Sequence, residues 1–470
     1  MKGFVPTPNP IVDMMVNKLF AKRNPRKKDL VLDPGCGTGA FISGIVRFCQ
    51  LKSIEIPRII GIESDPRHIH EARNKFDNFP SIEIKQSDFL LSSPKVKYDF
   101  IIGNPPYIPI TKLTQEEKEK YRALFRVAKG RFDLYILFFE QALMSLKLNS
   151  QLVFITPEKY LYVDSALKLR ELLGYFQIQE IHMIHEQSFG DLATYPTITT
   201  LNKRHPINPT TVILRNGITR HVTLPVNGSS FLPVMHENPL DVNGGLTLND
   251  IVRRVSCGVA TGADAVFIRK KAKISSKFKH LSYPTISGRQ LTKSCDLPPI
   301  EDNMIIPYSH DGKLLSENSL GSLIDYLKEP SNYSKLNQRS CVKRKKWYAF
   351  HENPPLCDIL NPKILCKDIT KIPYFWIDYS GTIVPRHSVY YIVPYDPTGI
   401  DSLCQYLNSD DVRKWLESNC QRAANGFLRL QSNVLRKIPI SKELNDALVS
   451  VNSDSDCRII KRKIATTCSV

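Results

Sequence analysis

The 470-residue sequence predicts an α/β protein, with a doubly wound sheet in its first half and an α+β region in its second. Three observations carry this. Between Leu30 and about Asn202, short apolar runs bounded by turn residues alternate with helical patterns, as in a parallel sheet wrapped by helices. A glycine-rich run, Asp33-Pro-Gly-Cys-Gly-Thr-Gly39, follows the first apolar run and opens a helical pattern. From Lys203 to Gly245 the periodicity breaks into Pro, Asn and Gly clusters, which read as a connecting segment.

In order, the strands fall at Leu30–Asp33, Ile59–Glu63, Ile82–Lys85, Tyr98–Gly103, Leu152–Thr156, Ile178–His185 and Thr197–Thr200. Helical patterns lie between them at Gly39–Phe48, Pro66–Phe76, Asp133–Leu146 and Ser165–Leu173. A chain of this length exceeds what one core organises, so a boundary is placed near 240, giving units 1–240 and 241–470. The second unit mixes short strands, basic patches and turns without an internal repeat.

A net charge of +18 favours a polyanion through counterion release, which makes nucleic acid the leading partner and leaves merely solvated surface lysines as the alternative. No apolar run reaches the roughly 20 residues that span a bilayer, so no membrane segment is expected. The start, Met-Lys-Gly-Phe-Val-Pro-Thr-Pro-Asn-Pro, has prolines where a signal peptide is apolar, which points to a cytoplasmic protein, nucleoid-associated through DNA. The 11 cysteines form no Cys-x-x-Cys pair, so neither a disulfide framework nor a zinc knuckle is indicated. His182 and His185 are three apart on a predicted strand and face opposite ways, with no third ligand, so no metal is expected.

Gly35, Gly37 and Gly39 allow a tight turn and a close ligand approach at the mouth of the sheet, where a nucleoside-containing cofactor would sit. A dinucleotide-binding loop or a plain strand-to-helix turn satisfies the same glycines. The acids that follow sharpen the reading. Glu63 ends the second strand, where a carboxylate accepts hydrogen bonds from ribose hydroxyls. Asp88 follows the third, placed to accept an adenine amino proton while Phe89 packs on the ring.

Asn104-Pro-Pro-Tyr107 closes the fourth strand. The lone pair of an aromatic amine such as adenine N6 is delocalised into its ring, which makes it a poor nucleophile. Acceptors on both its protons, the Asn104 side-chain oxygen and the Pro105 carbonyl, would localise that pair. Consecutive prolines stiffen the acceptor array, and Tyr107 offers a face on which an extruded base stacks. Phe189 is a candidate second wall for that base, and an ordinary core phenylalanine reads the same way.

The order of these motifs resembles the N6-adenine DNA methyltransferases of the gamma class, the TaqI-like enzymes with an Asn-Pro-Pro-Tyr motif, found in restriction-modification systems. Phe4-Val-Pro-Thr-Pro8 is similar to the segment that folds onto the cofactor methionine in that family, and Gly130-Arg-Phe-Asp-Leu-Tyr135 and Leu152-Val-Phe-Ile-Thr-Pro157 to segments after its catalytic loop. The resemblance implies a Rossmann-like class I methyltransferase sheet, S-adenosyl-L-methionine as cofactor, and a flipped-out adenine in duplex DNA as target. It implies catalytic roles for Asn104, Pro105, Tyr107 and Phe189, and a cofactor set of Thr7, Asp33, Gly35, Gly37, Glu63, Asp88, Phe89, Asn104 and Pro106. No stretch is large enough for a fused nuclease, so a cognate restriction endonuclease would be a separate protein.

The second half is similar, less specifically, to the family's α+β DNA target recognition domain, through Cys257–Phe267, Ser287–Leu291, Gly426–Gln431 and Lys437–Ile440. Two basic clusters there, Arg269, Lys270, Lys271, Lys273, Lys277 and Lys279, then Lys335, Arg339 and Lys343–Lys346, are candidates for phosphate contact or for plain solvated surface. Methyltransferases with the same motif that act on RNA adenine or on a protein glutamine remain the alternative, although the glutamine enzymes carry an extra helical domain before the catalytic half rather than a basic one after it. A catalytically dead DNA-binding subunit has no chemical reason to keep the acids and Asn104, and nothing resembles a hydride-transfer partner for an oxidoreductase.

Overall fold

The computed structural model describes residues 5–92, 96–185, 195–235, 245–292, 297–423, 426–441 and 444. The chain divides into two compact units, Met1–His236 and Glu237–Val470.

The first unit is an α/β sandwich around one nine-stranded sheet. Its strands are β1 (Leu30–Pro34), β2 (Arg58–Glu63), β3 (Ile82–Gln86), β4 (Tyr98–Gly103), β5 (Leu146–Pro157), β6 (Gln177–Met183), β7 (Pro196–Asn202), β8 (Thr210–Ile213) and β9 (Thr219–Val222). Their spatial order is β3-β2-β1-β4-β5-β7-β6-β8-β9. The chain leaves β1 toward β2 and β3, then returns to β1's other side with β4. The carboxyl ends of β1 and β4 therefore flank the crevice where doubly wound sheets bind ligands.

Side chains alternate between the sheet's two faces, and both faces are buried. Val31, Ile59, Phe100, Ile102, Val153 and Ile155 pack against α1 (Asn9–Leu19), α2 (Ala40–Leu51) and α3 (Pro66–Phe76). Leu32, Ile60, Ile101, Leu152 and Phe154 face the opposite way, toward α4 (Gln115–Leu124), α5 (Leu134–Ser145) and α6 (Leu167–Leu173). Helix α5 is buried nearly all round, as its unbroken run Leu-Tyr-Ile-Leu-Phe-Phe demands.

Three features differ from the sequence reading. The sheet is not parallel throughout, because β7 runs antiparallel between β5 and β6, with Thr156 opposite Thr197. The stretch 203–245 is not merely a connector: β8 adds parallel to β6, and β9 pairs back on β8. Both are four-residue strands set among turn residues, too short for a period to emerge. Helices α1 and α4 also escape the sequence reading. Helix α1 starts among prolines, with Pro10 in its first turn, where a missing N–H costs nothing.

Arg170 of α6, buried at 2% exposure, clips this late chain to the sheet. Its Nη1 donates to the carbonyls of Tyr160 and Val163 at 2.8 Å, and its Nε to those of Gly228 and Ser229 at 2.9 Å.

The second unit is α+β. One four-stranded sheet orders Val252–Cys257, Val389–Pro394, Lys363–Lys367 and Phe375–Asp378; another orders Ile268–Lys270, Asp302–Ile305, Ser282–Ile286 and Val384–Pro385. A fully buried ion pair, Lys363 to Asp378 at 2.6 Å, lies in the first sheet, and the same carboxylate accepts from the Gly381 and Ile383 amides. Among the described residues no helix is long and apolar enough to cross a membrane.

Candidate active site

A cavity of about 860 Å3 opens at the carboxyl ends of β1 to β4. The glycine-rich loop forms its floor. Gly35, Gly37 and Gly39 all take positive φ (80°, 55° and 82°), the left-handed region that side chains avoid. A Cβ at Gly39 would also stand 2.3 Å from the Phe76 ring. The Gly35 and Cys36 amides donate to the Ile62 carbonyl at 2.7 and 3.0 Å, which fastens the loop to the end of β2.

Glu63 completes that fastening. Its Oε2 accepts from the Gly37 amide at 2.9 Å, while Oε1 accepts from the Ser64 and Asp65 amides at 2.7 and 2.8 Å. The carboxylate still faces the cavity. Its Oε1 is the more committed oxygen, so Oε2 is the better placed for a further hydroxyl. Asp88 and Phe89 line the next stretch of wall, with Asp88 Oδ1 braced by the Leu90 amide at 2.9 Å. Phe89 sits 5.4 Å from Phe138 of α5, centroid to centroid, and the two rings with Pro106 and Leu134 make an apolar slot.

Across from Asp88 stands α4, whose Glu117 and Tyr121 also line the cavity. Burial, then Asp88 and Glu117 nearby, pushes the Tyr121 hydroxyl up to about 12, so it stays protonated and a donor. Sequence reasoning missed Glu117, Tyr121, Leu134 and Phe138. The capping box Thr114-x-x-Glu117 that starts α4 is the local signal that could have found that helix.

Asn104 follows β4 directly. Its Nδ2 donates to the Val5 carbonyl and to Thr7 Oγ1, both at 3.0 Å, whereas its Oδ1 is buried without a partner among the described residues. Because a carbonyl only accepts, the amide nitrogen must face Val5, and the oxygen is left free. Thr7, a predicted cofactor residue, therefore lines the cavity while also holding Asn104.

Asp33, at the end of β1, is fully buried with both carboxylate oxygens unpartnered among the described residues. Burial, with Glu63 nearby, pushes its carboxyl well above the usual range. Neither Asp33 nor Gly37 lines the cavity itself. Pro105 is buried, and Pro106 faces the cavity. Tyr107 does not line this cavity: its ring meets Tyr135 edge-on at 6.3 Å and its hydroxyl is buried without a partner among the described residues. Phe189 lies outside the described residues.

The residues fit S-adenosylmethionine. Glu63 Oε2 would take a ribose hydroxyl, Asp88 the adenine amino group, and the Phe89, Pro106, Leu134 and Phe138 slot the adenine ring. Asp33, set behind the cavity wall, carries an unpartnered carboxylate that a nearby α-ammonium group would return to its charged form.

The basic clusters of the second unit are only partly available. Arg339, 9% exposed, donates to the carbonyls of Leu336, Thr261 and Trp347 at 3.0, 2.9 and 2.6 Å, so it is removed from the predicted phosphate set. Lys345 is likewise turned onto the His351 carbonyl at 2.8 Å, and Lys270 pairs with Glu301 and Asp302. Lys271, Lys273, Lys277, Lys279, Lys335, Lys343, Arg344 and Lys346 are exposed.

Residues 47–189 match the Eco57I restriction-modification methylase family, and residues 313–440 the TaqI-like C-terminal specificity domain. The chain is 25% identical over 413 residues to the Type II methyltransferase M.XhoI of Xanthomonas vasicola, covering 78% of this chain and 74% of that one. It is 25% identical over 417 residues to the Type II methyltransferase M.PaeR7I of Pseudomonas aeruginosa, covering 78% and 70%. Among solved structures, the Type IIL restriction-modification enzyme MmeI in complex with DNA superposes with a TM-score of 0.65 at 13% identity, over 96% of this chain and 68% of that one, which shows a shared fold.

Proposed function

We propose that this chain, which matches an Eco57I-type methylase over residues 47–189 and a TaqI-like specificity domain over 313–440, methylates the N6 of an adenine swung out of duplex DNA. The observation that carries this reading is the buried, unpartnered Oδ1 of Asn104 beside the cofactor cavity.

S-adenosylmethionine supplies an electrophilic methyl group on a sulfonium sulfur. The chain's own residues do the rest. Asn104 Oδ1 and the Pro105 carbonyl accept the two N6 protons of the target adenine. This draws the nitrogen toward tetrahedral geometry and localises its lone pair. Neither group acts as a base in the attack, because a preorganised pair of acceptors costs no reorganisation when charge develops: the N–C bond forms as the methyl–sulfur bond breaks, leaving the neutral thioether, and the surplus proton on the methylated nitrogen then passes to solvent. An acceptor this deeply buried cannot reach a base inside the stack, so the target must leave the duplex. Tyr107 stacks on the extruded base, and the exposed lysines of the second unit hold phosphates while that unit selects the site.

The test is to incubate the purified protein with methyl-tritiated S-adenosylmethionine and unmethylated genomic DNA, digest the DNA to nucleosides and identify the labelled one. Label in N6-methyldeoxyadenosine supports the reading. Label confined to cytosine, to RNA or to a glutamine-containing protein overturns the substrate and keeps the cofactor.

A further inference from the structure

We infer that residues 5–8 are a strap that aims the Asn104 amide, with Thr7 as a positioning residue for methyl transfer. The inference rests on the adenine-N6 reading above.

An asparagine side chain at a strand end has two faces of nearly equal shape, one that donates and one that accepts, and rotation by 180° exchanges them. Only one orientation presents an acceptor to the target amine. The Val5 carbonyl, 3.0 Å from Asn104 Nδ2, only accepts and so selects that orientation, and Thr7 Oγ1, also 3.0 Å from Nδ2, takes the second amide proton and holds it. The reversed amide would set Oδ1 against the Val5 carbonyl oxygen. The strap thus leaves Oδ1 as the unpartnered atom.

The strap is itself held in place. Thr7 stands between Pro6 and Pro8, and a residue before proline is confined to extended backbone. Pro8 is extended (φ −61°, ψ 143°) and caps α1, accepting from the Ile11 and Val12 amides at 3.0 Å. Helix α1 seats on α2 at Gly44, where a Cβ would stand 2.5 Å from Val12. The Asp13 to Arg47 ion pair joins the same two helices. A line of rigid contacts therefore runs from Gly44 through α1 and Pro8 to Thr7 and the amide that holds the substrate.

Thr7→Val keeps the shape and removes the acceptor; Thr7→Ser keeps the acceptor. In the full chain, Thr7→Val should lower single-turnover methyl transfer to DNA by about tenfold, one hydrogen bond's worth of lost orientation. The affinity for S-adenosylhomocysteine and the KM for DNA should stay within about twofold, and Thr7→Ser should recover the rate to within about threefold. Wild-type turnover in Thr7→Val, or equal impairment of both variants, overturns the inference. So does a loss that appears only as weaker S-adenosylhomocysteine binding, which makes Thr7 a cofactor contact.

A second measurement needs no turnover. The Asn104 side-chain amide signals, assigned by their absence in Asn104→Ala, should exchange faster with water in Thr7→Val and at the wild-type rate in Thr7→Ser. Unchanged exchange in Thr7→Val overturns the strap even if the substrate proves to be something other than DNA adenine. Failure of the wild type to label deoxyadenosine overturns the reaction and leaves this amide readout standing.

Discussion

The main-chain amide of Gly37 donates to Glu63 Oε2 at 2.9 Å, joining the loop after β1 to the acid that ends β2. The contact that shapes the loop and the contact proposed for the ribose thus share one carboxylate oxygen. Glu63→Gln keeps the volume but turns an amide nitrogen toward at least one of the backbone donors now satisfied. We expect S-adenosylhomocysteine affinity to fall by roughly ten- to a hundredfold, the worth of a charge-assisted hydrogen bond. Titration calorimetry checks this, and wild-type affinity would detach Glu63 from the cofactor.

Asn104→Ala should behave differently. Its lost atom is the one proposed to meet the target amine, so turnover should fall at least about a hundredfold, as when an oxyanion donor is removed. Cofactor affinity should change little. Single-turnover tritium transfer together with calorimetry separates the two effects.

Tyr107 has a ring with a proposed stacking partner and a hydroxyl with none among the described residues. Tyr107→Phe should therefore be nearly silent, whereas Tyr107→Ala should weaken capture of the target base by about 1 to 3 kcal/mol. A 2-aminopurine placed at the target position reports on both. A large effect of Tyr107→Phe would mean that the hydroxyl meets the substrate.

Asp33 gives a pH signature. Its folded carboxyl lies above its unfolded value, so the folded state binds the extra proton between the two, and stability declines as pH rises through that window. Asp33→Asn removes the slope. Without cofactor, the variant's Tm should exceed that of the wild type by about 2 °C above neutral pH, with the gap closing toward pH 4. The variant should also lose the Tm increase that saturating S-adenosylhomocysteine gives the wild type. Parallel Tm curves against pH would count against an unpaired Asp33.

The exposed and buried cations of the second unit predict opposite phenotypes. Neutralising Lys343, Arg344 and Lys346 should weaken DNA binding and reduce the salt slope by about 0.9 for each phosphate no longer neutralised. Arg339→Ala should spare the slope and destabilise the unit in urea, because two buried carbonyls and one half-buried carbonyl lose their donor. An unaltered slope in the triple variant returns those side chains to solvated surface.

Strand ends were the legible part of this molecule. Glycines that need positive φ, acids that follow apolar runs and Asn104 after β4 are local patterns, and the structure gathers their residues around one crevice. What stayed hidden depends on distance along the chain. Nothing near Thr7 says that its hydroxyl meets a residue 97 positions away. Strands β8 and β9 exist because β6 offers an edge, not because four residues carry a period. Arg339 looks in sequence like its neighbours Lys343 and Arg344, and only the fold shows which cation faces inward. The glycines of Cys257–Phe267 are similarly explained by packing. A Cβ at Gly258 would stand 2.3 Å from the Arg386 carbonyl oxygen, and one at Gly262 would stand 2.1 Å from the His351 ring.

The Arg170 clip sets a clock on the ribosome. The guanidinium is made 59 positions before the Ser229 carbonyl that it must cap. At roughly 5 to 20 residues per second, a nascent chain carries that buried cation half-satisfied for about three to twelve seconds. Asn104 and its neighbours are long since synthesised by then, yet the sheet behind them is still open along β6 until β8 emerges. The catalytic unit is thus completed from its last segment, and a fragment that stops at β7 would keep every proposed catalytic residue on a sheet with a bare edge.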